Sequence, residues 1–116
     1  MRSPDALECI ELLVPLCESV ADRISRYGMT EETVASNTDH LDLILMPMLQ
    51  IGELVGSNGY HDALQELYPS EIWSQAYGLR NRIVHGYAKL NPGIIWDTAI
   101  NSIPELLELC NLVLAH

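Results

Sequence analysis

The side chains best equipped for chemistry stand in one stretch: Arg80, Asn81, Arg82, Ile83, Val84, His85, Gly86 and Tyr87. Polar and ionisable residues crowd the end of a segment that otherwise has the apolar pattern of a core helix. Residues four apart on an α-helix face the same way, so Asn81 is placed to hydrogen-bond the His85 imidazole and fix its tautomer. Arg80 and His85 lie about 140° apart around the axis at roughly 100° per residue, and meet through the reach of the arginine rather than by sharing a face. A histidine beside arginines is equipment for RNA cleavage without a metal. A base removes the 2′-hydroxyl proton, the 2′-oxygen attacks phosphorus, and an acid protonates the leaving 5′-oxygen. The planar guanidinium matches the charge that develops on the phosphoryl oxygens. Two acid–base groups serve this chemistry better than one, so a two-fold dimer bringing two copies of His85 and Arg80 into one cleft is expected. A structural reading stays open beside this one: His85 capping a helix end, with Arg80 paired to Glu53.

These residues need a helix to carry them, and the pattern supplies it. Ser70 caps a helix from Glu71 with Ile72, Trp73, Ala76, Leu79, Ile83 and Val84 as its apolar side, and Gly86 is its expected stop. Upstream, Ser3 and Pro4 open a first helix. Its stripe is Leu7, Ile10, Leu13, Cys17, Val20 and Ile24, with Gly28 as terminator. Thr30 caps a short acidic helix. A third helix, capped at Asn37, Thr38 or Asp39, runs to about Val55 with Leu41, Ile44, Leu45, Met48, Ile51 and Val55 inward. Pro15 and Pro47 are expected to kink or split the helices they interrupt. Gly56, Ser57, Asn58 and Gly59 form a turn, followed by a short helix over residues 60–67. Asn91, Pro92 and Gly93 read as a loop. A last helical stretch over residues 94–114 is interrupted at Pro104, with Ser102 as a new cap. The expectation is an all-α antiparallel bundle of four to six helices.

The 116 residues fit one domain, residues 1–116, and 48% apolar content suffices for one core. Phe is absent, and Leu and Ile carry the apolar load, which favours helix over sheet. The net charge of −10 disfavours a general nucleic-acid coat protein. Of the six cations, Arg80, Arg82 and Lys89 form one local basic patch on the acidic body. Cys9, Cys17 and Cys110 show no metal-type spacing and are expected as reduced, buried thiols. No secretory leader pattern and no run of about 18 apolar residues is present, so a cytoplasmic protein without a membrane span is expected. No glycine-rich phosphate loop is present, which disfavours NTP hydrolysis. No cofactor or metal is expected. His40 beside Asp39 and His61 beside Asp62 are expected at the surface. Trp73 and Trp96 are expected as core or dimer anchors, with Tyr77 lining the cleft.

The run Arg80, Asn81, three residues, His85, Gly86, Tyr87 resembles the Arg-x4-His-x-Tyr motif of the HepT-like toxins, a branch of the HEPN ribonucleases. Ile51-Gly52-Glu53 is similar to that family's Gly-Glu motif on the central helix. Tyr68-Pro69 with Ile72-Trp73, then Trp96, then Ile103-Pro104-Glu105-Leu106-Leu107 resemble further landmarks in order and spacing. Residues 41–116 carry the likeness; the first forty match only as helices of suitable length. Pro47, and Leu54 where a small residue is expected, depart from the pattern. The resemblance implies a homodimeric HEPN bundle and metal-independent RNA cleavage by Arg80 and His85. Asn81 would act in support, with Arg82 and Glu53 nearby. It also implies a nucleotidyltransferase antitoxin as partner, and leaves open whether the two form a higher hetero-oligomer. Tyr87 would be the hydroxyl which that antitoxin modifies with AMP. Two alternatives remain at this point: a non-catalytic helical dimer serving as the nucleotidyltransferase's partner and substrate, and a nucleotide-binding helical module.

Overall fold

A computed structural model describes residues 5–116, so the expected Ser3-Pro4 helix start lies outside the described residues. Asp5 caps the first helix instead, accepting a hydrogen bond from the Leu7 N–H at 2.9 Å. The helices are α1 (Ala6–Arg26), α2 (Glu31–Ser36), α3 (Thr38–Val55), α4 (Tyr60–Leu67), α5 (Glu71–Gly86), α6 (Pro92–Asp97) and α7 (Ile103–Leu114). A 3-10 turn, Tyr87–Lys89, follows α5, and a π turn, Thr98–Ser102, joins α6 to α7 into one continuous rod. Among the described residues there is no strand, and the chain is an all-helical bundle as expected.

Local chemistry sets most boundaries. Gly28, at φ +58°, ends α1: the Met29 N–H bonds to Ile24 O and the Gly28 N–H to Ser25 O, a Schellman closure that needs the left-handed residue. Thr30 and Thr33 cap α2 reciprocally, Asn37 caps α3, and Ser70 caps α5. Three expectations are corrected. Neither Pro15 nor Pro47 splits its helix. Asn91, Pro92 and Gly93 are not a loop: the Asn91 carboxamide accepts from the Gly93 and Ile94 N–H groups and Pro92 opens α6. Ser102 is not a side-chain cap. Pro104 has no N–H to donate backward, and the wider π turn just before it takes up the offset without breaking the rod.

The core joins α1, α3, α5 and α7 around Ile10, Leu13, Ile44, Met48, Ile51, Trp73 and Leu106, each almost wholly buried. The Trp73 indole donates to Tyr68 O at 2.7 Å, which satisfies its N–H inside the core. Two apolar assignments differ from the helical stripes. Leu7 and Val84 are exposed, while Cys9 is fully buried. Leu7 lies off the buried face of α1, which at this end is Ala6, Cys9, Ile10 and Leu13. Cys9, Cys17 and Cys110 are free and buried, and burial pushes each thiol up from 9.0 to about 12, keeping them protonated at neutral pH. No described helix is long and apolar enough to cross a membrane.

Candidate active site

The site is built where α5 crosses α3. A Cβ added at Gly52 would stand 2.5 Å from the Arg80 backbone nitrogen and 3.1 Å from Arg80 Cβ. Only hydrogen fits there, so Gly52 sets how closely the two helices approach at Arg80. The neighbouring Glu53 then faces the guanidinium, with Oε1 3.7 Å from Arg80 Nε. Both side chains are about half exposed, at 49% and 53%, so the pair is screened and weak as a source of stability. The contact is made through Nε, which leaves the two terminal amino groups of Arg80 for an oxyanion.

Gly52, Glu53, Gly56, Tyr77, Arg80 and Asn81 line an open cavity of about 250 Å³. Tyr77 is exposed, as expected of a cleft residue, and its ring lies against His61, with centroids 4.8 Å apart and planes at 51°. His61 is therefore no free surface residue. Its Nε2 is 3.1 Å from the Ser74 hydroxyl, which also receives the Gln65 amide at 3.3 Å. Sequence reading missed this assembly, because nothing in the spacing of α4 and α5 announces that their faces meet.

The rest of the motif is dispersed. His85 lies in the last turn of α5, exposed and outside the cavity that holds Arg80. Asn81 and His85 are not hydrogen-bonded to each other; the side-chain bonds on this part of α5 and the turn after it are those of Arg82 and Tyr87. Arg82 points to a different groove, between α5 and the rod of α6 and α7, where its guanidinium donates to Gln75 O at 3.3 Å. Residues two apart on a helix face nearly opposite sides, which separates Arg82 from Arg80. Gly86 ends α5 without a left-handed turn, at φ −113°, and the chain passes directly into the 3-10 turn that carries Tyr87.

Tyr87 is exposed, and its hydroxyl donates to Asp42 Oδ1 at 2.8 Å, tying that turn back to α3. The hydrogen bond to Asp42, and then its negative charge, raise the Tyr87 phenol above its ordinary value. Asp42 was not anticipated, although Asp42, Met46, Leu49 and Glu53 follow at steps of four, three and four and so share one side of α3. Among the described residues no group of three or more His, Cys, Asp or Glu is gathered as a metal site.

The chain is thus a helical bundle with an arginine pocket at a glycine crossing, and a histidine and a tyrosine just beyond it. The family model described as Ribonuclease HepT-like matches residues 16–113, and the chain belongs to that family. A protein of Caldanaerobacter subterraneus subsp. tengcongensis, named "Putative RNase TTE0752", is 26% identical over 97 residues, covering 84% of this chain and 83% of that one. No solved structure matches the chain.

Proposed function

We propose that this chain is a metal-independent RNA endonuclease, the toxin of a toxin–antitoxin pair, acting in the cytoplasm as a homodimer. The observation that carries the reading is the seating of Arg80 against Gly52, in a chain of the HepT-like ribonuclease family, with its terminal amino groups left for a phosphate. His85 takes the 2′-hydroxyl proton. The 2′-oxygen attacks phosphorus and the P–O5′ bond breaks as His85 of a second copy gives a proton to the leaving 5′-oxygen, leaving a 2′,3′-cyclic phosphate and a 5′-hydroxyl end. Arg80 stabilises the charge on the phosphoryl oxygens, with Asn81 in support. The cavity lined by Arg80 does not include His85, which favours a cleft completed by a second copy. Exposed Met46 on α3 and Val84 on α5 give that contact apolar surface.

In the same reading a nucleotidyltransferase antitoxin modifies Tyr87 with AMP. Tyr87 is exposed two residues beyond His85, and an adenylyl group there would bring bulk and negative charge against the substrate phosphate. Purified protein in EDTA should cut RNA to 2′,3′-cyclic phosphate ends, and His85→Ala should abolish the cut. Wild-type protein of unmodified mass that leaves RNA intact would overturn the reading and favour a non-catalytic partner of the nucleotidyltransferase.

A further inference from the structure

The geometry points to a nucleobase-stacking subsite on Tyr77, so that the substrate at this centre is unpaired RNA read one base at a time beside Arg80. The inference rests on the ribonuclease reading and deepens it. Four observations on separate elements converge. Tyr77 is 44% exposed in a bundle whose other motif-helix aromatic, Trp73, is fully buried. It forms one wall of the cavity that holds Arg80 and Asn81. The α3 side of that cavity includes Gly52 and Gly56, two residues without side chains, and a Cβ added at Gly56 would sit 3.5 Å from Tyr77 Cε2. The ring is also set in advance: His61 packs against it at 4.8 Å, and His61 is in turn held by Ser74.

Each part has a use for one nucleotide. A flat base gains by stacking on an exposed aromatic ring, and every base has a π face, so the contact does not need a particular sequence. The Asn81 carboxamide offers a donor and an acceptor to the base edge, and Arg80 takes the adjoining phosphate. A tyrosine already buttressed by His61 loses little freedom on binding, which makes His61 a positioning residue for the subsite. A base inside a duplex is stacked on both faces and has none free for the ring, so duplex RNA is excluded by this wall. The cavity, at about 250 Å³, suits part of one nucleotide and not an extended strand. The acidic body disfavours a long electrostatic footprint in any case.

The test uses the full-length chain. Binding is measured with His85→Ala protein and a short fluorescent RNA carrying one 2-aminopurine, offered unpaired and as a duplex of the same sequence. Expected are preference for the unpaired strand and quenching of the 2-aminopurine on binding. Tyr77→Ala should then weaken binding by about tenfold or more and abolish the quench, while Tyr77→Trp keeps both. His61→Ala should reduce the quench while the melting temperature stays near that of the parent. Equal binding of duplex and single strand, or Tyr77→Ala protein that binds unchanged, overturns the subsite. So does Tyr77→Ala protein that sediments as a monomer where the parent is a dimer, since Tyr77 is then a contact between copies. The two readings fail differently. If wild-type protein cuts RNA and Tyr77→Ala cuts it equally well, only the subsite falls. If wild-type protein cuts no RNA, the ribonuclease reading falls and takes the subsite with it.

Discussion

Tyr87 is held by a single partner, and its behaviour follows from that bond. The hydroxyl donates to Asp42, and both the hydrogen bond and the carboxylate charge oppose loss of the phenol proton. The folded-state value is therefore raised above the unfolded one of about 10. The bond's contribution to stability is complete below that pH and is lost as pH rises through the folded value. Tyrosinate absorbance in the near ultraviolet should show one phenol ionising late in wild type. Asp42→Asn should bring that phenol back toward the ordinary range, and Tyr87→Phe should remove it from the titration. A late-ionising phenol that persists in Asp42→Asn would show that Asp42 is not its cause. The same bond occupies the hydroxyl that the proposed antitoxin would modify, so under that proposal it must open before Tyr87 reacts. The sequence led to Tyr87 by its place in the motif and gave no pointer to Asp42, forty-five positions earlier in the chain.

Among the elements, the crossing of α3 and α5 decides most. Gly52→Ala adds a methyl group against the backbone of Arg80, where no side chain can move aside. Alanine is the better helix former by about 1 kcal/mol, but the forced separation of two packed helices costs roughly 1–3 kcal/mol. Net destabilisation is expected by thermal or urea melting. Cleavage should fall further than stability, because Arg80 moves with its helix. A variant that melts like wild type and cuts RNA at the wild-type rate would remove Gly52 from the account. The helices themselves were largely legible: Asn37, Thr30 and Ser70 cap where their residue types predict, and Gly28 stops α1. The rod from α6 to α7 was legible as a helical stretch, but its start at Pro92 and its passage through Pro104 were not. Asn91-Pro92-Gly93 is turn chemistry and helix-start chemistry alike, and packing of Ile95 and Ala99 into the core selects the helix.

Across the whole molecule, a net charge of −10 surrounds a site with few cations. RNA binding should therefore depend weakly on salt. With only Arg80 and one or two other cations on phosphates, log K against log salt should have a slope of roughly −1 to −2 for a single strand. Fluorescence anisotropy of a short RNA on His85→Ala protein measures it. A slope steeper than about −4 would mean an extended basic footprint that this surface does not offer. The position of Arg82 bears on the same point, because it lies in the groove beside α6 and α7 and not beside Arg80. The basic patch of residues 80–89 is thus one patch in sequence and two sites in space.

By itself the sequence determined the all-helical class, most helix boundaries, most of the core stripes and the stretch on which the proposed chemistry rests. These depend on local rules: capping hydrogen bonds, the left-handed freedom of glycine, and the helical repeat of apolar residues. The tertiary structure decided what those local rules cannot reach. It set Gly52 against Arg80, the Tyr87 hydroxyl on Asp42, and Tyr77 on His61, and it turned Arg82 away to a second groove. Each depends on which faces of separate helices meet, and that is fixed by the packing of the whole core rather than by any neighbour along the chain.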